Sequence, residues 1–181
     1  MTTTKAEFTL RPIALSDAPR IAELIGDWEV VRWLSLPPHP YNLCDAEASL
    51  ATCVPADARG ESQTGAIVVA GQFAGIIGIG RTGGSNLGYW LGRAYWGQGI
   101  MTRAAMQITR DFFANTAETR LKSGYFSGNE ASWAIQRRLG FEFVSEGLLL
   151  NRPHGKRLPH VETTLTREQF EVLHPNGATL K

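Results

Sequence analysis

The chain has 181 residues, enough for one domain with a sizeable hydrophobic core but too few for two full domains. Hydrophobic residues make up 43% and charged residues 19%, which is typical of a globular protein and excludes a disordered one. The formal net charge is +1, from 18 Lys and Arg against 17 Asp and Glu, and this balance argues against nucleic acid or an anionic membrane as a partner. There are only two cysteines and no apolar run long enough for a membrane helix, so we expect a single cytoplasmic domain over residues 1–181.

The N-terminal third predicts a strand followed by helices. Residues 8–13 alternate as in a strand, and Asp17 is a candidate cap for a helix that ends near Gly26. Three prolines make residues 36–41 an irregular loop, because each removes a hydrogen-bond donor and fixes φ. Asp45 is the candidate cap of a further helix.

The rest of the chain alternates strands with two helices. The predicted elements are a hairpin over 66–81, a strand over 86–91, a helix from Met101, a strand over 121–126, a helix from Asn129 to Gly140, and strands over 141–144 and 161–165. The order implies an α/β protein with a mixed sheet and helices on its faces, and not a doubly wound parallel sheet.

One motif matches a nucleotide-binding pattern but lacks its context. Residues 78–83 read G-x-G-x-x-G, the dinucleotide fingerprint. That site needs a helix directly afterwards, whose N-terminus meets the diphosphate, whereas here Gly84 and a strand-like run follow. We therefore interpret these glycines as part of a hairpin and its turn.

A second glycine motif has the right context for an anion. The segment Tyr95-Trp96-Gly97-Gln98-Gly99 lies between a strand and the most periodic helix. Glycine lets the main chain approach a ligand, and the first turn of a helix has unpaired N–H groups at the positive end of its dipole. Such a segment can bind phosphate without charged side chains, although a plain tight turn would give the same pattern.

The segment Asn129-Glu130-Ala131-Ser132 is the second candidate element. Its structural interpretation is a helix cap at Asn129, with Ser132 in the first turn. Considered alone, this segment does not distinguish a cap from a functional site.

In this order and spacing the motifs resemble those of the GNAT superfamily of N-acetyltransferases, in particular its branch of ribosomal-protein N-terminal acetyltransferases. The shared pieces are Leu10-Arg11-Pro12, Gly88-Tyr89-Trp90-Leu91, Tyr95-Trp96-Gly97-Gln98-Gly99, Asn129-x-x-Ser132 and Leu139-Gly140-Phe141. The resemblance covers about residues 8–170 and implies the fold of that superfamily. That fold is a mixed, mostly antiparallel sheet with a V-shaped opening and helices on both faces.

The resemblance also implies acetyl-CoA as cosubstrate and a primary amine as acceptor. Main-chain N–H groups of residues 97–102 would hold the diphosphate. Leu91 and Arg93 would pair through their main chains with the pantetheine arm, which Asn129 would also hydrogen-bond. The implied cofactor-binding residues are Leu91, Arg93, Gly97, Gln98, Gly99, Ile100, Met101, Thr102 and Asn129. Ser132 is the implied catalytic residue, which would give a proton to the departing CoA thiolate. No metal is expected, since the four histidines and two cysteines show no metal-ligand spacing.

The protonation of amines favours an N-terminal acceptor. At pH 7 about one α-amine in seven is neutral, compared with roughly one lysine amine in 2,500. An α-amine could therefore lose its proton to water, and no His or Glu stands at an obvious catalytic spacing near Tyr89 or Tyr125. We therefore expect the N-terminus of a protein or peptide as acceptor, with the general base unidentified.

The predicted acceptor wall consists of Glu29, Trp33, Tyr41 and Tyr89. Trp33 and Tyr41 would alternatively pack in the core. Residues 151–156 fit either a hairpin loop over the acceptor site or a solvated turn.

Two other functions stay open. A small amine such as a polyamine or aminoglycoside would require acidic residues, and the candidates also fit ordinary solvated helix faces: Glu23, Asp27, Glu29, Asp45 and Glu47. A non-catalytic domain that keeps CoA as a structural or sensing ligand is the other alternative, because no base is evident. The sequence does not fix the oligomeric state, for which a homodimer is one option.

Overall fold

The computed structural model describes residues 6–175, over which seven strands and six helices form a layered arrangement. The strands are β1 (Thr9–Pro12), β2 (Ser62–Val69), β3 (Gln72–Gly80), β4 (Asn86–Leu91), β5 (Arg120–Phe126), β6 (Glu142–Asn151) and β7 (Lys156–Thr166). The helices are α1 (Ala18–Ile25), α2 (Trp28–Val31), α3 (Leu43–Ala58), α4 (Ile100–Asn115), α5 (Glu130–Leu139) and α6 (Arg167–Leu173). The strand order is β1-β2-β3-β4-β5-β7-β6, and all neighbours pair antiparallel except β4 and β5. The expected mixed, mostly antiparallel sheet is confirmed.

Helices cover both faces of the sheet, as expected. On one face α4 buries its predicted apolar stripe against β3, β4 and β5, with Met101, Ala105, Ile108 and Phe112 at most 6% exposed. On the other face α1 and α3 pack on β2 and β3 through a second cluster of buried residues. Each large side chain buried in this way stabilises the fold by about 1.5–3 kcal/mol.

The parallel pair β4 and β5 separates along its length. The two strands are in register only at Asn86 and Lys122, and Ser123 Oγ donates to the Leu87 carbonyl at 2.9 Å. Beyond these contacts the described residues show no further pairing between the two strands, so a gap opens toward their carboxyl ends. The chain leaves β4 through a short 3₁₀ turn, Arg93–Tyr95, and α4 begins beside this gap. The expected V-shaped opening is confirmed.

Two predicted helix caps act differently in the structure. The carboxylate of Asp17 does not cap α1; it is 5% exposed and accepts two hydrogen bonds from Arg11, at 2.8 and 2.6 Å, and one from Ala14 N at 2.9 Å. Burial alone would raise the pKa of Asp17, but these hydrogen bonds and the Arg11 charge hold it below its usual value. Asn42, and not Asp45, caps α3, while Asp45 accepts from Asn42 N at 2.9 Å and completes a capping box.

The last two strands are longer than predicted, and α6 was not predicted. β6 and β7 form a hairpin whose turn is residues 152–155, and a place for this turn over the acceptor site stays a prediction. Pro159 lies inside β7, where proline normally argues against a strand. A sequence signal for α6 did exist, because Thr166 and Gln169 form a capping box.

The rejected nucleotide motif has the context expected of a hairpin. Gly78 and Gly80 lie within β3, and Gly83 and Gly84 form the turn into β4, so that no helix follows.

Among residues 6–175, no helix has both the length and the apolar character needed to cross a bilayer. A single domain over the whole chain stays a prediction.

Candidate active site

A cleft of about 980 Å³ opens where β4 and β5 separate. Its walls come from both strands, the start of α4, α5, β7 and the segment after α2. The lining residues that matter below are Trp33, Tyr89, Leu91, Gly99, Ser132 and His160. A concave volume of this size suits an organic ligand of cofactor dimensions.

One end of the cleft is formed by main-chain groups. Gly97 and Gly99 have φ values of +73° and +68°, a left-handed conformation that favours glycine. The N–H groups of residues 97–102 hydrogen-bond to no other residue that the structure describes, and no side chain caps α4 at Gly99. A Cβ at either glycine would meet no atom within 4 Å, so there is open space beside both. The segment therefore presents unpaired donors and the positive end of a helix dipole to an anion.

A guanidinium lies in the first turn of α4. Arg103 donates to the carbonyl of Ala6 and lies over the Phe8 ring, 5.0 Å from its centroid. It ties the chain before β1 to the start of α4 and adds positive charge there. The sequence interpretation did not include Arg103, although its place one turn after Gly99 was a readable signal.

The end of β4 is partly occupied by a neighbouring side chain. Trp96 Nε1 donates to the Leu91 carbonyl at 2.6 Å, so a ligand donor at this oxygen would share it with the indole or displace it. Arg93 and Gln98 are predicted to act through their main chains, and their side chains are engaged elsewhere: Arg93 pairs with Asp27 at 3.1 Å, and Gln98 donates back to the Ala94 carbonyl at 3.1 Å. Contributions of Arg93 and Gln98 to a ligand would therefore come from their main chains.

Ser132 is the centre of a hydrogen-bond network. Its Oγ lies 2.9 Å from the Tyr89 hydroxyl and accepts from Gln136 Nε2 at 3.2 Å. Gln136 is fully buried, and its amide also donates to the Gly124 carbonyl at 3.1 Å and accepts from Thr163 Oγ1 at 2.7 Å. Since an amide nitrogen can only donate, the Ser132 proton stays available to Tyr89 or to a group in the cleft. Sequence analysis missed Gln136, which lies one helical turn after Ser132.

Burial strongly affects Tyr89. It raises the pKa of the phenol, against the opposing effect of the neighbouring Ser132 and Gln136 side chains. Tyr89 is therefore protonated at neutral pH and acts as a donor beside Ser132, whose carbonyl it also reaches at 3.2 Å.

Asn129 serves as a helix cap in this structure. Its Oδ1 accepts from Ser132 N at 3.1 Å, which orients the first turn of α5 and so places the Ser132 side chain. The Nδ2 group remains a donor for a ligand, and the assignment of Asn129 to a pantetheine arm stays a prediction.

The predicted acceptor wall is only partly assembled. Trp33 lines the cleft and reaches toward Gly128, where a Cβ would lie 3.7 Å from its ring, and Tyr89 lines the cleft as well. The structure does not bring Glu29 and Tyr41 to this lining. Glu29 forms an ion pair with Arg32 at 2.8 Å, and Tyr41 packs against the core of α1 and α3, as its alternative interpretation stated.

The β6–β7 turn is fixed against the segment after α2. Asn151 is fully buried, donates to the Arg32 carbonyl at 3.0 Å and accepts from His154 N at 3.0 Å. Arg152 N donates to the Ser35 carbonyl at 3.1 Å. These bonds hold Trp33 and the turn together at one mouth of the cleft.

Within the described part of the chain, no three His, Cys, Asp or Glu side chains are grouped as a metal ion would require.

Comparison with known proteins matches this geometry. The description of an acetyltransferase (GNAT) domain family fits residues 7–142. A relative from Bacillus subtilis (strain 168), YdaF, whose name is that of a provisionally assigned ribosomal N-acetyltransferase, is 27% identical over 161 residues, which are 81% of this chain and 85% of that protein.

Solved structures share the fold over most of both chains. The ribosomal-protein-S5-alanine acetyltransferase of Vibrio fischeri has a TM-score of 0.77 at 21% identity, covering 90% of this chain and 94% of that one. RimL, a ribosomal L7/L12 α-N-protein acetyltransferase in complex with coenzyme A, also has a TM-score of 0.77, at 18% identity, covering 90% and 95%. The resemblance stated from the motifs is confirmed. The chain belongs to the GNAT family of acetyltransferases.

Proposed function

We propose that this protein transfers an acetyl group from acetyl-CoA to the α-amine at the N-terminus of a protein or peptide. One observation carries the proposal: the unpaired main-chain donors of residues 97–102 and the Ser132 network open into the same cleft, between separated parallel strands. The first can hold a diphosphate, and the second can hold a proton for a departing thiolate.

In this proposal the amine attacks the thioester carbonyl directly. A main-chain N–H near Leu91, at the end of β4, would stabilise the negative charge that develops on the carbonyl oxygen. Ser132 Oγ would protonate the leaving thiolate, with Gln136 and Tyr89 fixing its position through the bonds described above. Acetyl-CoA as cosubstrate is further supported by the coenzyme A complex of RimL.

The acidic residues predicted for a polycation lie outside the cleft lining, which favours a peptide over a polyamine. A polycation would need free carboxylates, yet three of the candidate acidic residues pair with arginines: Glu23 with Arg20, Asp27 with Arg93, and Glu29 with Arg32, at 2.6, 3.1 and 2.8 Å. A fourth, Asp45, completes the α3 capping box. The names of YdaF and RimL, which refer to ribosomal or α-N-protein substrates, point the same way.

A cytoplasmic location is also part of this proposal. Both cysteines are free thiols, which fits a reducing compartment.

An acceptor screen tests the proposal. Free CoA thiol is followed with three amines: a lysine-free peptide with a free N-terminus, the same peptide with a blocked N-terminus and one lysine, and spermidine. We expect thiol release with the first peptide, and release at least about 100-fold slower with the lysine peptide. The reason is that deprotonating a lysine amine at pH 7 costs roughly 3.5 kcal/mol more than deprotonating an α-amine. Faster release with spermidine would reassign the acceptor. No release with any amine, together with no heat on titration with CoA, would refute acetyl transfer itself.

A further inference from the structure

A histidine that the mechanism above does not use faces the cleft. His160, on β7, pairs in register with Phe126 of β5, and its ring lies across the main chain of Gly124. A Cβ at Gly124 would be 2.4 Å from His160 Cε1 and 2.8 Å from its Nε2, so only glycine leaves room for the ring here. Both residues line the cleft.

His160 and Ser132 lie on opposite faces of the sheet. Residues directly opposite in an antiparallel pair point to the same face, so His160 shares its face with Phe126, and their rings meet edge to face with centroids 5.2 Å apart. Tyr125 points to the other face, where it stacks on Trp133 of α5, the helix that carries Ser132.

Gly124 lies between the two groups. Gln136, which holds Ser132, donates to the Gly124 carbonyl at 3.1 Å, while the His160 ring covers the position of its missing side chain. A thioester held in the gap beside β5 would thus have a hydroxyl on one face and an imidazole on the other. An amine that approaches from the imidazole side would thus have a base beside it, while the hydroxyl remains for the sulfur.

The imidazole is free to accept a proton. Neither ring nitrogen of His160 hydrogen-bonds to a residue that the structure describes. Burial lowers the pKa of His160 below its usual value, and the neighbouring carboxylate of Glu162 acts in the opposite direction. Glu162 accepts from Ser145 at 3.1 Å, and Glu146 of β6 accepts from Ser127 at 3.3 Å. The remaining ionisable groups of β5 near His160 are Lys122 and Tyr125.

We propose that His160 is the general base, which takes one proton from the acceptor ammonium group on the face of the sheet opposite Ser132. The proposal rests on the acetyl transfer proposed above. The freed lone pair forms the N–C bond to the thioester carbonyl carbon, and the C–S electron pair leaves on sulfur. Ser132 gives the thiolate a proton. The second proton of the nitrogen, released as the amide forms, replaces it, and His160 returns the first proton to solvent.

The pH profile of a His160→Gln variant tests this role. With the free-N-terminus peptide at pH 6.5, we expect kcat/KM to fall about 100-fold, with unchanged CoA affinity. The loss should shrink above about pH 7.8, where the α-amine is neutral without a base. His174→Gln is the matched control, because burial lowers the pKa of His174 too and it lies beyond α6, outside the cleft lining. Its profile should equal that of the unmodified protein.

Four results would overturn the assignment. An unchanged rate in His160→Gln would show that His160 is not the base. An equal loss of kcat/KM at every pH would show that His160 contributes through packing alone. Failure of the unmodified protein to acetylate any amine would overturn the proposed function along with it. If His160→Gln does not fold, Glu162→Gln replaces it, since loss of that carboxylate should move the acidic limb of the profile to lower pH. An unmoved limb would contradict the role of His160.

Discussion

The two halves of the cleft are built in different ways. The donor half, from Leu91 through residues 97–102, is one continuous stretch of chain whose useful groups are main-chain N–H donors. The acceptor half is formed by side chains from distant segments, such as Trp33 and His160. Strand register places His160, and the buried Asn151, which is outside the cleft lining, holds the chain beside Trp33 through its bond to Arg32. The first half therefore depends on backbone conformation at two glycines, and the second on long-range packing.

This difference has a physical origin. Main-chain donors exist at every helix start, so the donor half needs only residues that allow a left-handed turn and leave space beside it. Side-chain sites need each group to be held by its own partners, as Ser132 is held by Tyr89 and Gln136. Substitutions should therefore separate the two halves, with binding of CoA lost in one and turnover or acceptor binding lost in the other.

The largest effect is expected for Gly99→Trp. The side chain would fill the open space beside the main-chain donors and strain the backbone at φ +68°. We expect CoA affinity to fall by at least about 100-fold, or roughly 3 kcal/mol, measured by calorimetric titration.

Gly71→Trp is the matched control for that loss. Gly71 has a φ of +77° and no atom within 4 Å of a built Cβ, but it lies in the β2–β3 turn, outside the cleft lining. Backbone strain and bulk are thus comparable in the two variants. Equal CoA affinity in both would mean that residues 97–102 do not form the donor site.

The donor half was predictable from sequence because its parts are contiguous. The glycines, the following helix and its apolar stripe all lie within residues 97–112, and each carries a local signal. Asn129 and Ser132 were visible for the same reason. The mixed sheet followed from the order of strands and helices, and the V-shaped opening was implied by the family resemblance that these motifs carry.

The acceptor half was not predictable in the same way. His160 reaches the cleft only because β7 pairs with β5 in a register that places it beside Gly124. The sequence predicted only the second half of β7, because Pro159 argues against a strand. Glu29 and Tyr41 were expected at the cleft from their place near Trp33, but an ion pair and the α1–α3 core hold them elsewhere. Sequence proximity does not fix side-chain direction in a segment of short helices and proline loops.

A smaller effect, on turnover alone, is expected for Ser132→Ala. Loss of the hydroxyl removes the proton source for the thiolate, while Tyr89 remains nearby as a partial substitute. We therefore expect kcat to fall about 10–100-fold in steady-state thiol release, with CoA affinity within twofold of the original. Ser16→Ala, at an exposed serine before α1, should leave both quantities unchanged. A loss of CoA affinity equal to the loss of kcat would place Ser132 in the donor half.

The smallest effect is expected for Asn151→Ala, which loosens the acceptor half without touching the donor half. The substitution leaves the Arg32 carbonyl and His154 N without their partner, so the free energy of unfolding should drop by about 1–3 kcal/mol in urea denaturation. Because Trp33 adjoins Arg32, we also expect KM for the peptide to rise roughly threefold to tenfold, about 0.7–1.4 kcal/mol, at unchanged CoA affinity. Asn115→Ala, at an exposed residue at the end of α4, controls for loss of an asparagine side-chain bond. A stability loss with an unchanged KM would show that the β6–β7 turn supports the fold but not the acceptor, which would reduce the acceptor half to Trp33, His160 and the edges of β4 and β5.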